Sequence, residues 1–357
     1  MAFTEKYVTD AGAGSATGAD LANAWSWATM LTTLAAGERA NYNGNITGGT
    51  AAQSFTNAGT AALPMALRAV DGSGVAITTT RAAGAARDMT GVGVITYTST
   101  GRLTFPSFMV VSDISVTGAV ADSTVTSGST NSIRRCKIEN THGSSSSALG
   151  LTLGTGAVGD DCDLLITSTN ANAYAGRVGQ SIMIRCRANA GSSGASGIDI
   201  NDRGAVINCT IINFATGVNI SGSVAAVVGC SFRNGSSNYF NQQAGSPLMS
   251  VSNCVAWGSG GSSKWYNSTT SVRSHGQFAN AVGNMGAADT NEGDWPVEGQ
   301  VTLTADPFTS STDLTLNSDA SGGTLCKGVG LHPYLDIGAW QVQAGAGGGS
   351  TSYIIGS

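Results

Sequence analysis

The sequence predicts an all-β solenoid, a single parallel β-helix in which short strands coil around one long core. Three observations support this fold class. Six of the seven cysteines recur at intervals of 21 to 26 residues. Apolar and polar residues alternate around these cysteines, which is the pattern of strands with one buried face. Glycine supplies 50 of the 357 residues, and glycine tolerates the positive φ angles that tight bends require.

The composition excludes several classes of protein. Charged residues make up 11% of the chain and the net charge is −5, with no clusters of Lys and Arg, which argues against nucleic acid as a partner. No apolar run reaches the ~20 residues that span a bilayer, so we expect no membrane-spanning segment. The residues from Met1 to Tyr7 lack the pattern of a secretory signal. We therefore expect a protein that works where it is made or travels on a virus particle.

The cysteine positions define the repeat. Two residues after each cysteine stands an apolar residue, and a period in the low twenties indicates a solenoid whose turns cover one another. Stacked cysteines would lie ~4.8 Å apart with parallel Cβ directions, farther than the ~3.5–4.5 Å of a disulfide. A linear column of thiols also cannot surround a metal tetrahedrally. We expect a reduced structural core and neither metal nor cofactor; the six residues are Cys136, Cys162, Cys186, Cys209, Cys230 and Cys254.

Other positions repeat with the cysteines. A second strand in each turn begins at a glycine, as in Gly197-Ile198-Asp199-Ile200. Asn140, Asn213 and Asn234 each follow a cysteine by four residues, which predicts side-chain amides stacked along the axis. Ser112 lies 24 residues before Cys136 and is expected to occupy the cysteine position one turn earlier.

The chain divides into three regions. Residues 1–40 are predicted to form an N-terminal strand and a capping helix over 19–36, with Asp20 as its N-cap and Gly37 after its end. Residues 41–341 are predicted to form the β-helix with a C-terminal cap. Residues 342–357 are predicted to be a flexible Gly-rich linker followed by an anchoring strand.

The chain resembles the right-handed parallel β-helix proteins of the pectin-lyase-like superfamily over roughly residues 1–341. The resemblance rests on Ala22-Asn23-Ala24-Trp25, on Asn208-Cys209-Thr210-Ile211-Ile212-Asn213 with Thr216–Ile220, and on Asp306-Pro307-Phe308 with Leu335–Gln341. These motifs build turns and caps, so they predict the fold and leave the activity open. The superfamily includes polysaccharide lyases and hydrolases, phage tailspikes and proteins without catalysis. Without a secretory signal and with a tethered terminal strand, the chain is most similar to phage virion β-helices.

Two acidic clusters are candidates for chemistry. Asp160-Asp161-Cys162-Asp163 has a structural explanation, because the residues before and after successive cysteines alternate in charge. Two outward ladders of ion pairs are therefore predicted, one formed by Arg135, Asp161 and Arg185 and the other by Lys137, Asp163 and Arg187. Asp199 and Asp202 form the second cluster. They are the fallback catalytic candidates, although glycoside hydrolysis needs two carboxylates across one bond and neighbouring turns offer no clear partner.

The leading functional hypothesis is a non-enzymatic structural protein of a phage particle, as capsid decoration or spike. Expected partners are other virion proteins, further copies of the chain, and a host surface glycan. The alternative is a tailspike-like domain that binds or degrades polysaccharide.

The last residues are predicted to bind a partner. Tyr353, Ile354 and Ile355 follow a linker of seven small residues, Ala344 to Ser350. An apolar segment after such a tether suits addition to an exposed sheet edge on a neighbouring chain. The other interpretation is an ordinary frayed terminus.

Overall fold

The structure is a computed structural model of the chain. It describes residues 2–258 apart from 83–84, 146, 192–193, 237 and 243–247. Beyond them it describes 264–268, 277–279, 282–283, 297–298, 301–328 except 312, and 338. The predicted linker and anchoring strand, with Tyr353, Ile354 and Ile355, lie outside the described residues.

Short strands follow one another along the whole described chain. The first turns contain β1 (Thr4–Thr9), β2 (Trp25–Ser26), α1 (Trp27–Thr33), β3 (Glu38–Tyr42), β4 (Ile46–Gly49), β5 (Gln53–Ser54), β6 (Met65–Ala69), β7 (Val94–Ser99), β8 (Leu103–Phe105), β9 (Met109–Ser112), β10 (Ser115–Val120) and β11 (Ser123–Ser127). The middle turns contain β12 (Ser132–Arg134), β13 (Lys137–Asn140), β14 (Leu149–Leu153), β15 (Val158–Asp160), β16 (Asp163–Ile166), β17 (Tyr174–Val178), β18 (Ile182–Ile184), β19 (Arg187–Asn189), β20 (Ser196–Ile200), β21 (Gly204–Ile207), β22 (Thr210–Ile212) and β23 (Thr216–Ile220). The last turns contain β24 (Val224–Val228), β25 (Ser231–Arg233), β26 (Asn238–Gln242), β27 (Leu248–Ser252), β28 (Val255–Trp257), β29 (Lys264–Ser268), β30 (Gln277–Ala279), β31 (Val282–Gly283), β32 (Val297–Glu298) and β33 (Val301–Thr302). Short 3-10 helices span Leu21–Asn23 and Gly323–Cys326.

The strands form three parallel sheets that run along the solenoid. Sheet A takes β1, β2, β3 and then every third strand from β6 to β30, followed by β32. Sheet B takes every third strand from β4 to β31, followed by β33, and sheet C takes every third strand from β5 to β29. The chain thus visits sheets A, B and C once per turn, and the predicted right-handed parallel β-helix is confirmed. Among the described residues, no helix is long and apolar enough to cross a membrane.

The register places the six cysteines at the same corner of successive turns. Ser115 pairs with Lys137, Lys137 with Asp163, and Asp163 with Arg187, each one residue after the corner position. All six cysteines are buried and free. The same register gives the preceding corner position to Ile114, so the prediction for Ser112 was wrong: that turn is 22 residues long, two fewer than the assumed repeat.

The residue before each corner position bends the chain from sheet A into sheet B. It has a positive φ on every one of these turns: Asp113, Arg135, Asp161, Arg185, Asn208, Gly229 and Asn253. This conformation costs non-glycine residues energy, and it persists because the surrounding hydrogen bonds fix it. The side chains at this bend therefore stand outside the core, where ion pairs can form.

The N-terminal helix is shorter than predicted over 19–36. Asp20 caps the 3-10 helix through Asn23 N, and Ser26 caps α1. Between the two, Trp25 pairs with Val8 of β1. Strand pairing with β1 therefore replaces the helical path that the apolar spacing indicated.

The asparagine ladder also differs from its prediction. Asn234 donates to Asn213 Oδ1 at 3.0 Å, and Asn213 donates to Asn189 Oδ1 at 3.2 Å. Asn140 instead donates to backbone carbonyls, including Val120 O at 3.0 Å. The ladder therefore begins at Asn189, which follows its cysteine by three residues.

Candidate functional site on the outer face of sheet B

A segment between β6 and β7, residues 70–93, folds over the corner between sheets A and B. We call it the inserted segment. Its arginines Arg81 and Arg87 have side chains that are only 1% exposed. Arg81 Nη1 lies 2.6 Å from Asp163 Oδ1, and Arg81 Nε donates to Asp161 Oδ1 at 3.0 Å. Arg87 pairs with Asp161. The carboxylates at two corner positions are thus held by the inserted segment.

The contacts of Arg81 favour its protonated, charged form. Burial alone would lower the pKa of Arg81, but the charges of Asp163 and Asp161 outweigh burial and raise the pKa. Buried charges of this kind are tolerated only where partners and hydrogen bonds satisfy them. The network therefore fixes the inserted segment to the solenoid.

The predicted ladders are aligned but paired differently. Arg135 donates to Asp113 Oδ2 at 2.7 Å on the preceding turn, and Arg185 donates to Asp160 at 2.6 Å. Lys137 lies 3.4 Å from Glu139 of its own strand. The direct ion pairs of Asp161 and Asp163 are with the inserted segment, which lies outside the repeat and could not be placed from the period.

A second layer covers the later turns of sheet B. Leu303, Phe308, Leu314 and Cys326 form a small apolar cluster with Ile212 and Val255, whose side chains point outward from sheet B. Arg233 of β25 forms an ion pair with Asp306. We call residues 303–328 the C-terminal cover.

Arg187 lies on the turn between these two layers. In the parallel sheet, Arg187 is in register with Asp163 on the preceding turn and with Thr210 on the next turn. Asp163 is bound by the inserted segment. Thr210 lies two residues before Ile212, which contacts the C-terminal cover. Arg187 is 8% exposed. Among the residues that the structure describes, its Nε has no hydrogen-bond partner, and Thr210 Oγ1 and Asn208 Oδ1 on the next turn also have none. These three polar atoms therefore belong to two adjacent turns of the solenoid.

The environment of Arg187 disfavours its charge. Burial lowers the pKa of its guanidinium, Arg81 lowers it further, and Asp163 acts in the opposite direction. Buried polar groups without partners are uncommon and costly. Arg187 Nε and Thr210 Oγ1 can donate hydrogen bonds, and Asn208 Oδ1 can accept one. Together these groups are suited to a ligand carboxylate that is flanked by hydroxyl groups.

The fallback candidates lie elsewhere. Asp199 is 2% exposed and accepts hydrogen bonds from Arg177 Nε at 2.8 Å, Asn219 Nδ2 at 2.8 Å and Ser221 Oγ at 3.0 Å. It belongs to a polar column on the outer face of sheet C, where these hydrogen bonds satisfy its carboxylate.

Asp202 has hydrogen-bond partners different from those of Asp199. It accepts from Gln180 Nε2 at 2.6 Å, and this bond is the main cause of the lowered pKa of Asp202. A carboxylate with a lowered pKa is ionised at neutral pH and is poorly suited as a general acid. A catalytic role for either residue stays a prediction.

Within the described part of the chain, no three His, Cys, Asp or Glu side chains are grouped so that they could hold a metal ion. Asp160 pairs with Arg185, whereas Asp161 and Asp163 share Arg81.

Arg187 was assigned by the sequence to a charge ladder. The signal that singles it out is the next position of the column, Thr210, which supplies no carboxylate. The lack of a carboxylate at this position of the column is therefore readable from the register, whereas the burial of Arg187 is not.

Comparison with known proteins supports the fold. No protein-family model matches the chain, and no curated protein matches it. Among solved structures, the pectate lyase Pel9A is similar with a TM-score of 0.66 at 13% identity, covering 95% of this chain and 97% of that one. A rhamnogalacturonan lyase is similar with a TM-score of 0.61 at 13% identity, covering 90% and 96%. At this identity the likeness shows the fold alone, a parallel β-helix, which is the fold that the sequence motifs predicted.

Proposed function

We propose that this chain is a polysaccharide-binding β-helix in which Arg187 binds a carboxylate of an anionic sugar chain. The observation that carries the proposal is the buried guanidinium whose Nε lacks a partner among the described residues, one turn from Thr210 Oγ1 and Asn208 Oδ1, which also lack one. A ligand carboxylate would supply the missing acceptor, and charge-assisted hydrogen bonds of this type are strong. Sugar hydroxyls would satisfy Thr210 and Asn208.

The small exposure of Arg187 restricts the ligand. With 8% of the residue exposed, the group that meets Arg187 must be narrow. A carboxylate that projects from a sugar ring fits this requirement better than the flat face of a ring. The names of the two similar structures agree with this class, since pectate is a carboxylate-bearing polysaccharide.

Lyase activity is the second candidate, favoured by the lowered pKa of Arg187. A lowered pKa increases the fraction of the guanidine that is deprotonated and able to accept a proton. In an elimination, the guanidine would take the proton next to the sugar carboxylate. A carbon–carbon double bond would then form as the glycosidic carbon–oxygen bond breaks and the leaving oxygen takes up a proton.

The expected location on a phage particle, with other virion proteins as partners, remains a separate prediction. Polysaccharide binding is compatible with that location. Of the two functional hypotheses that the sequence supports, a structural virion protein and a polysaccharide-binding domain, the site geometry favours the second.

Calorimetric titration with pectate and with its methyl ester tests the proposal, because the two polymers share a backbone and differ in charge. We expect binding of pectate and at least about tenfold weaker binding of the ester, which corresponds to losing one charge-assisted contact. Equal affinity for the two polymers, or no binding of either, would reject Arg187 as a carboxylate site. Ultraviolet detection of unsaturated ends in the same mixtures distinguishes binding alone from lyase activity.

A further inference from the structure

The outer face of sheet A carries aliphatic side chains that take no part in the candidate site on sheet B. Outward positions on three consecutive turns are aliphatic, while Met183 and Val206 between them are fully buried in the core. We call this patch the aliphatic stripe. It consists of six partly exposed residues: Ile182, Ile184, Ala205, Ile207, Ala226 and Val228.

The size of the stripe limits what can cover it. Three strands ~4.8 Å apart, with two outward positions on each, give a footprint of roughly 150 Å². A stable interface between folded proteins needs about 800 Å² on each partner. The stripe is therefore too small to hold a second folded copy, but it matches a few apolar side chains of an extended segment.

The chain passes one end of this stripe before its last residues. Gly338 N donates to Asn253 O at 2.8 Å. Asn253 directly follows Ser252, the last residue of β27, and Ser252 pairs with Val228 of the stripe. Gly338 therefore lies at the corner next to this end of the stripe, where it faces Val255 and Ser231 of sheet B.

The sequence after Gly338 fits the stripe in charge and length. Residues 339–357 contain no Asp, Glu, Lys or Arg, and no member of the stripe is charged. Fourteen residues lie between Gly338 and Tyr353, which gives a flexible chain a root-mean-square reach of ~20 Å. The stripe extends only ~14 Å from β27, at three strand spacings.

We propose that Tyr353, Ile354 and Ile355 pack on the aliphatic stripe of their own chain. Burial of the apolar side chains on both surfaces provides the driving force. A short tether holds the segment at an effective concentration in the ~millimolar range, which favours the same chain over a neighbour. This occupant differs from the neighbouring chain that the sequence predicted, because the position of Gly338 was not readable from the repeat.

Disulfide trapping in the full-length chain tests this contact. Ala226→Cys is combined with Ser352→Cys, which leaves the three apolar residues intact, and the native cysteines are all buried. The control combines Ser352→Cys with Thr169→Cys, an exposed position at the corner between sheets B and C. We expect the stripe pair to form an intrachain disulfide about tenfold faster than the control pair.

The anchor residues supply a second variant that leaves the solenoid untouched. Adding Ile354→Ser and Ile355→Ser to the stripe pair should lower its rate to that of the control. Equal rates for the stripe and control pairs, a rate that is insensitive to the serine substitutions, or disulfides mainly between chains would overturn the proposal. The last result would assign the segment to a neighbouring copy.

Discussion

Arg81 and Asp163 lie 82 residues apart in the sequence, yet Arg81 Nη1 lies 2.6 Å from Asp163 Oδ1. This contact joins the inserted segment to the regular turns of the solenoid. It also accounts for the failure of the predicted ladder, because Asp163 is satisfied from outside the repeat and Arg187 is left without that carboxylate as a direct partner.

Replacement of Arg81 tests the contribution of this contact to stability. Arg81→Met leaves the nearly buried Asp163 without its side-chain ion pair, and loss of one member of a buried pair costs about 3–5 kcal/mol. Arg102→Met is the control, because Arg102 and Asp122 are 39% and 58% exposed and exposed pairs contribute at most about 1 kcal/mol. Urea unfolding measures both. Similar losses in the two variants would mean that the pair does not hold the inserted segment.

The contacts of Asp113 predict that the protein loses folding stability at acid pH. Burial raises its pKa, but bonds from Arg135 and Thr79 outweigh burial and lower the pKa below the ordinary 3.8. Because the folded-state pKa is lower than the unfolded one, the carboxylate stabilises the fold above the unfolded value. This stability is lost as the pH falls through the folded-state pKa.

The corresponding experiment compares the free energy of unfolding of the wild type and Asp113→Asn at different pH values. The difference between them should be largest near neutral pH and should shrink below pH 3.8. Asp122→Asn, at an exposed ion pair, serves as the control. A wild-type advantage that does not change with pH would contradict the role of Asp113.

The cysteine column predicts a sharp difference between native and denatured thiol labelling. Burial raises the pKa of the Cys136, Cys186 and Cys230 thiols, which keeps them protonated and unreactive. All seven cysteines are buried and free. Alkylation without reductant should therefore label none in the native protein and all seven after denaturation, as counted by mass spectrometry. Recovery of a disulfide among them would refute the stacked column.

The polar column on sheet C predicts a cost for removing Asn219. This amide donates to Asp199 Oδ1 and accepts from Asn241 Nδ2, both at 2.8 Å. Asn219→Ala should destabilise the fold by about 1–3 kcal/mol, since it removes a donor from a buried carboxylate. Asn172→Ala, at an exposed turn position, should change stability by less than about 0.5 kcal/mol. Calorimetric melting of both variants checks the contrast.

A feature of the fold could be predicted from the sequence where it repeats from turn to turn. The period of the cysteines and the alternation around them determine the turns, because every turn repeats the same packing against its neighbours. The N-terminal region was less readable: helical spacing around Trp25 competes with its pairing to Val8, which depends on tertiary contact. The partners of Asp161 and Asp163 were unreadable because Arg81 and Arg87 belong to an insertion without periodicity.

The most direct test of the central claim is a titration of pectate into three variants of the full chain. Arg187→Gln removes the charge, Arg187→Lys keeps the charge without the planar geometry of the guanidinium, and Arg203→Gln removes an exposed arginine beyond the site. The account predicts that Arg187→Gln weakens binding about tenfold to a hundredfold, that Arg187→Lys restores part of it, and that Arg203→Gln changes little. Unchanged pectate affinity in Arg187→Gln, with the fold intact by circular dichroism, would contradict the account.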